Sequence, residues 1–102
     1  MTPVLDLSQL SAQTAGNDAL QREVLTLFVE AMPAQAAVLR GTDADQRRAV
    51  AHQIVGSARA IGAGDVARLA AAVEGGTGHV DALLAAMDTV RAAIARHLAR
   101  PD

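Results

Sequence analysis

Apolar residues recur three or four positions apart along most of this 102-residue chain, which is the spacing of amphipathic helices. Of the two clearest segments, the first carries Leu20, Val24, Leu27, Phe28 and Ala31, and the second carries Val80, Leu83, Leu84, Met87, Val90, Ile94 and Leu98. Alanine, the strongest helix former, supplies 24 residues, and Phe28 is the only aromatic residue. The sequence therefore predicts an all-α protein.

Breaks that contain glycine divide the chain into five predicted helices. The predicted spans are residues 7–13, 17–41, 42–61, 65–74 and 79–100, where the second helix starts at Asn17 or Asp18 and the third at Thr42 or Asp43. Asp6 is expected to cap the first helix, and Asp18 with Gln21 fits a capping box at the start of the second. Pro33 predicts a kink or a short break in the second helix, and Pro101 is expected to stop the fifth.

The last four predicted helices have short connections, so consecutive helices are expected to lie antiparallel. The sequence thus predicts an up-down-up-down four-helix bundle, with the short first helix as a lid on one end. Residues 1–102 are predicted to form a single domain, and we expect this domain to be a monomer.

Composition excludes several classes of function. The net charge of −2 and the single aromatic residue argue against a nucleic-acid binder, and the absence of cysteine excludes thiolate chemistry. No apolar run approaches the ~20 residues that span a bilayer, and residues 1–10 do not resemble a signal peptide. The spacing of the three histidines, His52, His79 and His97, is not that of metal ligands, so no metal or other cofactor is expected. His79 and His97 are predicted to be surface residues. We expect a cytoplasmic protein with no membrane insertion.

The third predicted helix contains the residues that suggest chemistry. One face, expected to be buried, carries Val50, Ile54, Ser57 and Ile61; the opposite face carries Arg48, His52, Val55, Gly56 and Arg59. His52 is therefore predicted to face solvent or a partner. Gly56 costs about 1 kcal/mol relative to alanine within a helix, and it clears space one turn beyond the histidine.

An exposed neutral imidazole is a good nitrogen nucleophile, and cations beside it suit an imidazole that receives a phosphoryl group. Arg48 and Arg59 are the candidate cations, since each could neutralise an anion held near the ring. The alternative is a surface histidine whose neighbours are accidental, and the spacing alone does not decide between the two interpretations.

The segment from His52 to Ala58, HQIVGSA, followed by Ile61, Gly62 and Ala63, resembles the signature of histidine-containing phosphotransfer (HPt) domains. That signature has a histidine, a lysine three residues later, then glycine, a small residue and a Gly-Ala pair further on. The resemblance extends along nearly the whole chain. It includes Val66, Leu69, Val73 and Glu74 downstream, and residues 20–28, Glu30 and Pro33 upstream.

The resemblance implies a phosphorelay carrier. His52 would accept a phosphoryl group from an aspartate of a response-regulator receiver domain, or return it, and Gly56 would provide clearance for the receiver. Ser57 and Ala58 would be packing positions. Glu74 would accept a hydrogen bond from the imidazole; the alternative is a solvated glutamate at a helix end. The receiver would supply the Mg²⁺.

Val55 is the main departure from the family pattern, because it stands where the family usually has lysine. Arg48 and Arg59 are then the nearest substitutes, and Val55 is expected to add exposed apolar area to a docking face. A second hypothesis is therefore a binding module of the same fold, which regulates a receiver, a kinase or another enzyme by docking.

A third hypothesis is a structural or dimerising bundle like those of hybrid sensor kinases. In those domains an acidic residue typically follows the histidine, so Gln53 counts against it. Both a free-standing protein and the C-terminal domain of a membrane-bound hybrid kinase fit the sequence.

Overall fold

Five α-helices and no strands make up residues 4–100, the part of the chain that the computed structural model describes. They are α1 (Ser8–Gln13), α2 (Asp18–Arg40), α3 (Ala44–Ala60), α4 (Gly64–Glu74) and α5 (Val80–Leu98). Contacts between α2 and α3, α3 and α4, α4 and α5, and α5 and α2 close the four longer helices into a ring. The predicted all-α four-helix bundle is thus confirmed.

The side chains of Asn17 and Asp43 fix the starts of α2 and α3. The Asn17 side chain accepts the N–H of Leu20 at 3.0 Å, and that of Asp43 accepts the N–H of Gln46 at 3.0 Å. The Asp43 start was among those predicted. The Asp18 capping box was wrong, because Asn17 takes the capping position and Asp18 becomes the first helical residue.

Pro33 does not interrupt α2, which runs unbroken for 23 residues, so the predicted break was wrong. Proline removes one backbone donor, but the turns on both sides are held in the core by Met32 and Leu39. Packing of these turns outweighs the single lost hydrogen bond. The fifth helix, α5, ends at Leu98. Pro101, which was expected to stop this helix, lies outside the described residues.

The core contains large apolar side chains from every helix, with fully buried members including Leu10, Leu25, Leu39, Ile54, Ile61, Leu83 and Ile94. Between α3 and α4 the buried residues are mostly small. Ala51, Ala58 and Ala70 are completely buried, and these two helices make the most extensive contact in the molecule. Small side chains allow the two backbones to approach closely, which fixes the register of α4 against α3.

The short helix α1 packs on α2 and α3, as expected of a lid. The Asp6 carboxylate accepts hydrogen bonds from the Ser8 hydroxyl at 2.7 Å and from the Ser8 N–H at 3.0 Å, and these bonds lower the pKa of the Asp6 carboxyl. The N–H of Asp6 donates to the carbonyl of Gly62 at 2.9 Å. This bond joins the start of α1 to the turn between α3 and α4.

No helix among residues 4–100 combines the length and apolar character that are needed to cross a membrane.

Candidate functional site

His52 lies near the middle of α3 with its side chain 75% exposed, as its sequence position predicted. Its Nδ1 lies 2.6 Å from Oε2 of Glu74, at the end of α4. A carboxylate can only accept a hydrogen bond, so Nδ1 carries the proton in this pair. The other ring nitrogen, Nε2, then keeps its lone pair. In the neutral imidazole this arrangement makes Nε2 the nucleophilic nitrogen.

The position of Glu74 follows from how α4 ends. Val73 is buried against the core, and the N–H groups of Thr77 and Gly78 both return to the carbonyl of Ala72, at 3.0 and 2.9 Å. A Cβ on Gly78 would lie 2.6 Å from the backbone nitrogen of Val73, so only glycine permits this closure. The tight glycine loop thus fixes the last turn of α4, and with it the carboxylate beside His52.

Gly56 lies one turn after His52 on the same exposed face. A Cβ built on it would meet no heavy atom within 4 Å, and its backbone is helical. Nothing in the described part of the domain, residues 4–100, therefore requires glycine at this position. The space above Gly56 is open to a partner molecule, as predicted.

Two assignments to the faces of α3 were wrong. Val55 is only 7% exposed and belongs to the core, so it adds no exposed apolar area. Ser57, predicted to be buried, is exposed, and its hydroxyl donates to the carbonyl of Gln53 at 3.1 Å. The reason is that α3 packs between α2 and α4, so its buried face is centred on Ala51, Ile54, Val55 and Ala58.

Arg48 and Arg59 both lie on the exposed side of α3, as predicted. Arg48 forms a long ion pair with Asp45, with 3.7 Å between Nη1 and Oδ1, and both side chains are well exposed. Such a pair contributes little to stability. Within the described part of the chain, no carboxylate lies within ion-pair distance of Arg59.

The remaining histidines lie apart from this site. His79 is exposed at the start of α5, and His97 is partly buried in its last turn. Among residues 4–100, no group of three or more metal-ligating side chains comes together.

An apolar groove beside His52 was not predicted. It lies between α2 and α3 with a volume of about 340 Å³, lined by Val24, Leu27, Phe28, Ala31, Gln35, Gln53, Ser57, Ala60 and Ile61. Leu27 is 57% exposed and Leu20 is 41% exposed. The sequence signal was the width of the apolar pattern on α2, which is more than one core-facing stripe requires. The groove borders the residue that follows His52.

Comparisons with known proteins agree with this geometry. The sequence model of the family described as "Hpt domain" matches residues 23–100. The crystal structure of histidine phosphotransferase ShpA from Caulobacter crescentus is similar, with a TM-score of 0.81 and 27% sequence identity. The match covers 93% of this chain and 90% of that one. The comparison with curated proteins gave no match.

Proposed function

The chain belongs to the Hpt domain family, and from this membership and the geometry of His52 we propose that it is a phosphorelay carrier. In this role His52 accepts a phosphoryl group from an aspartyl phosphate on a receiver domain and passes it on, or returns it. The single observation that supports this most directly is the exposed imidazole whose Nδ1 is held by Glu74 at 2.6 Å.

Transfer requires one bond to form and one to break. The lone pair on Nε2 attacks phosphorus, and the P–O bond to the receiver aspartate breaks, so that its carboxylate leaves with the bonding electrons. The proton on Nδ1 stays in place, and the imidazole ring becomes positively charged. The carboxylate of Glu74 offsets this charge as it develops. Return of the phosphoryl group is the same step reversed.

Glu74 acts in this proposal as a positioning residue. Its hydrogen bond selects the tautomer in which Nε2 is free, and it fixes the orientation of the ring at the surface of α3. Mg²⁺, the phosphorylated aspartate and the in-line geometry are assigned to the receiver domain.

The surroundings of His52 suit the close approach of a second protein. Gly56 leaves the helix surface open, and the groove with Leu27 at its rim offers apolar contact area that reaches Gln53, the residue after His52. A receiver domain, whether free or part of a hybrid sensor kinase, is the partner that this proposal requires. Its aspartate must come within bonding distance of Nε2, so the two surfaces must meet around Gly56.

Phosphotransfer from a purified receiver domain that carries radiolabelled aspartyl phosphate tests the proposal. The parent protein is expected to gain label, and His52→Gln is expected to gain none. His79→Gln and His97→Gln are matched controls that should gain as much label as the parent. Label on His52→Gln equal to that on the parent would refute the proposal.

Regulation by docking is the second candidate function, and the apolar groove favours it. A groove of about 340 Å³ next to an exposed leucine can support binding without any group transfer. The two functions separate on one variant. A docking module keeps its effect on the partner when His52 becomes glutamine, whereas a carrier loses it.

A further inference from the structure

A phosphoryl group on His52 creates a local charge problem. It adds about −1.5 to −2 charge at neutral pH, and the carboxylate of Glu74, 2.6 Å from Nδ1, already offsets the positive charge that develops on the ring. The chain contains no lysine. Val55 is buried and apolar, so the residue three positions after His52 offers no cation. The only side chains of this sequence that carry a permanent positive charge are therefore those of arginine.

Four of the arginines form hydrogen bonds or ion pairs elsewhere in the fold. Arg22 donates to the carbonyl of Leu98, and Arg47 donates to the carbonyls that end α2. Arg68 and Arg91 each pair with an aspartate three residues before them. On the exposed side of α3 the candidates are Arg48 and Arg59.

Helix geometry distinguishes these two. Side chains on an α-helix lean toward its N-terminus. Arg48 therefore leans away from His52, which agrees with its contact to Asp45 at 3.7 Å. Arg59 leans toward His52. It lies seven residues later, which is about 10.5 Å along the axis and within about 20° of the same direction around the helix.

Gly56 lies between Arg59 and His52, and it has no side chain to separate them. The space that a Cβ would occupy there contains no heavy atom within 4 Å. We infer that Arg59 reaches across Gly56 and binds the oxygens of a phosphoryl group on Nε2 of His52. Gly56 thus serves two purposes, clearance for a partner and a path for the guanidinium. The inference rests on the proposed function, because it assumes that His52 carries phosphate.

The test uses chemical phosphorylation by phosphoramidate, which needs no partner protein. Variants are made in a background with His79→Gln and His97→Gln, so that His52 alone is labelled. The phosphorus NMR signal is then followed against pH. A neighbouring cation favours the dianionic phosphoryl group and lowers its pKa. Arg59→Gln is expected to raise that pKa by about half a unit, a modest shift because the site is exposed.

Arg48→Gln is the matched control, since it removes the same charge from the same side of the same helix. It is expected to leave the phosphoryl pKa unchanged, and Arg59→Lys is expected to restore most of the parent value. Circular dichroism confirms that each variant is folded. An equal or larger shift in Arg48→Gln, or no shift in Arg59→Gln, would overturn the inference.

The result does not depend on the phosphotransfer assay. A parent protein that takes no label from a receiver would refute the proposed carrier function, while the phosphorus titration would still report whether Arg59 lies against the phosphoryl group. A parent that takes label, combined with an unshifted titration in Arg59→Gln, would refute only the role of Arg59.

Discussion

Glu74 contacts His52 across the interface of α3 and α4, with 2.6 Å between Oε2 and Nδ1. The two residues are 22 positions apart, and small buried alanines between the helices determine that they meet. The hydrogen bond leaves Nε2 as the nitrogen with a free lone pair. The reactivity of an exposed surface residue is therefore set by the packing of the core beneath it.

Replacing Glu74 by alanine is expected to release the tautomer of His52. The parent should show the Nδ1–H form in nitrogen NMR of the imidazole, and Glu74→Ala should show a mixture. Phosphotransfer should slow by about tenfold, which is the effect of losing a charge-assisted hydrogen bond of ~1.4 kcal/mol in the transition state. Rates are measured with labelled receiver domain.

Asp65→Asn serves as the control for Glu74, because Asp65 is an acidic residue at the opposite end of α4. It should leave both the nitrogen spectrum and the transfer rate unchanged. A Glu74→Ala spectrum identical to that of the parent would contradict the positioning role.

Substitution of Gly56 is expected to move stability and function in opposite directions. Alanine at this helical position should raise the free energy of unfolding by about 1 kcal/mol, because alanine favours the helix more than glycine does. No clash opposes this gain, since a Cβ there would meet no heavy atom within 4 Å. Phosphotransfer should nevertheless fall with Gly56→Ala and fall further with Gly56→Leu, since each side chain occupies the approach to His52. Urea denaturation and the transfer assay measure the two quantities.

Gly64→Ala is the matched control for Gly56, since a Cβ at Gly64 is equally unobstructed and lies in the first turn of α4. It should leave transfer at the parent rate. Unimpaired transfer in Gly56→Leu would show that the partner does not approach over this residue.

Gly62→Ala is expected to destabilise the domain by about 2 kcal/mol or more. Gly62 has φ +76°, and a Cβ there would lie 1.7 Å from the carbonyl oxygen of Asp6. The substitution therefore combines backbone strain with loss of the contact that holds α1. Denaturant titration should show the loss. Gly64→Ala, two residues later, should show none, and equal stabilities for the two variants would contradict this reading of the turn.

The fold was predictable because the local signals agreed with one another. Asp43, one of the two predicted starts of the third helix, caps α3, and the predicted five helices are all present. Pro33 misled because a local rule cannot weigh the packing of Met32 and Leu39 on either side of it. The site was predictable in part: His52, Gly56 and the arginines lie on the exposed side of α3. Val55 was misplaced because a helix that packs against two neighbours buries more than one stripe.

The sequence did not decide whether Glu74 contacts His52, because a solvated glutamate at the end of a helix was an equally good interpretation. Its distance from His52 depends on the register between α3 and α4, which completely buried alanines help to set. The groove beside His52 was missed for a related reason. Leu20 and Leu27 share the helical spacing of core residues, and only the packed structure shows that no helix covers them.

Leu27 and Leu25 allow a direct test of the groove as a docking surface, because they lie two positions apart on α2 and differ in burial. Leu27 is 57% exposed and Leu25 is fully buried. Leu27→Ala should change the free energy of unfolding by no more than about 0.5 kcal/mol, as expected for an exposed site. Leu25→Ala should lower it by about 2–5 kcal/mol, because it opens a cavity in the core.

The affinity for a receiver domain should show the opposite order of effects for the two variants. Leu27→Ala removes apolar area from the rim of the groove, so calorimetric titration with a receiver domain that transfers phosphate to the parent should show affinity reduced by about tenfold. Leu25→Ala, measured at a temperature where it remains folded, should bind within about twofold of the parent. Parent-like affinity in Leu27→Ala would place the receiver elsewhere on the face of α3. A leucine that contributes to binding and not to stability would identify the groove as part of the docking surface.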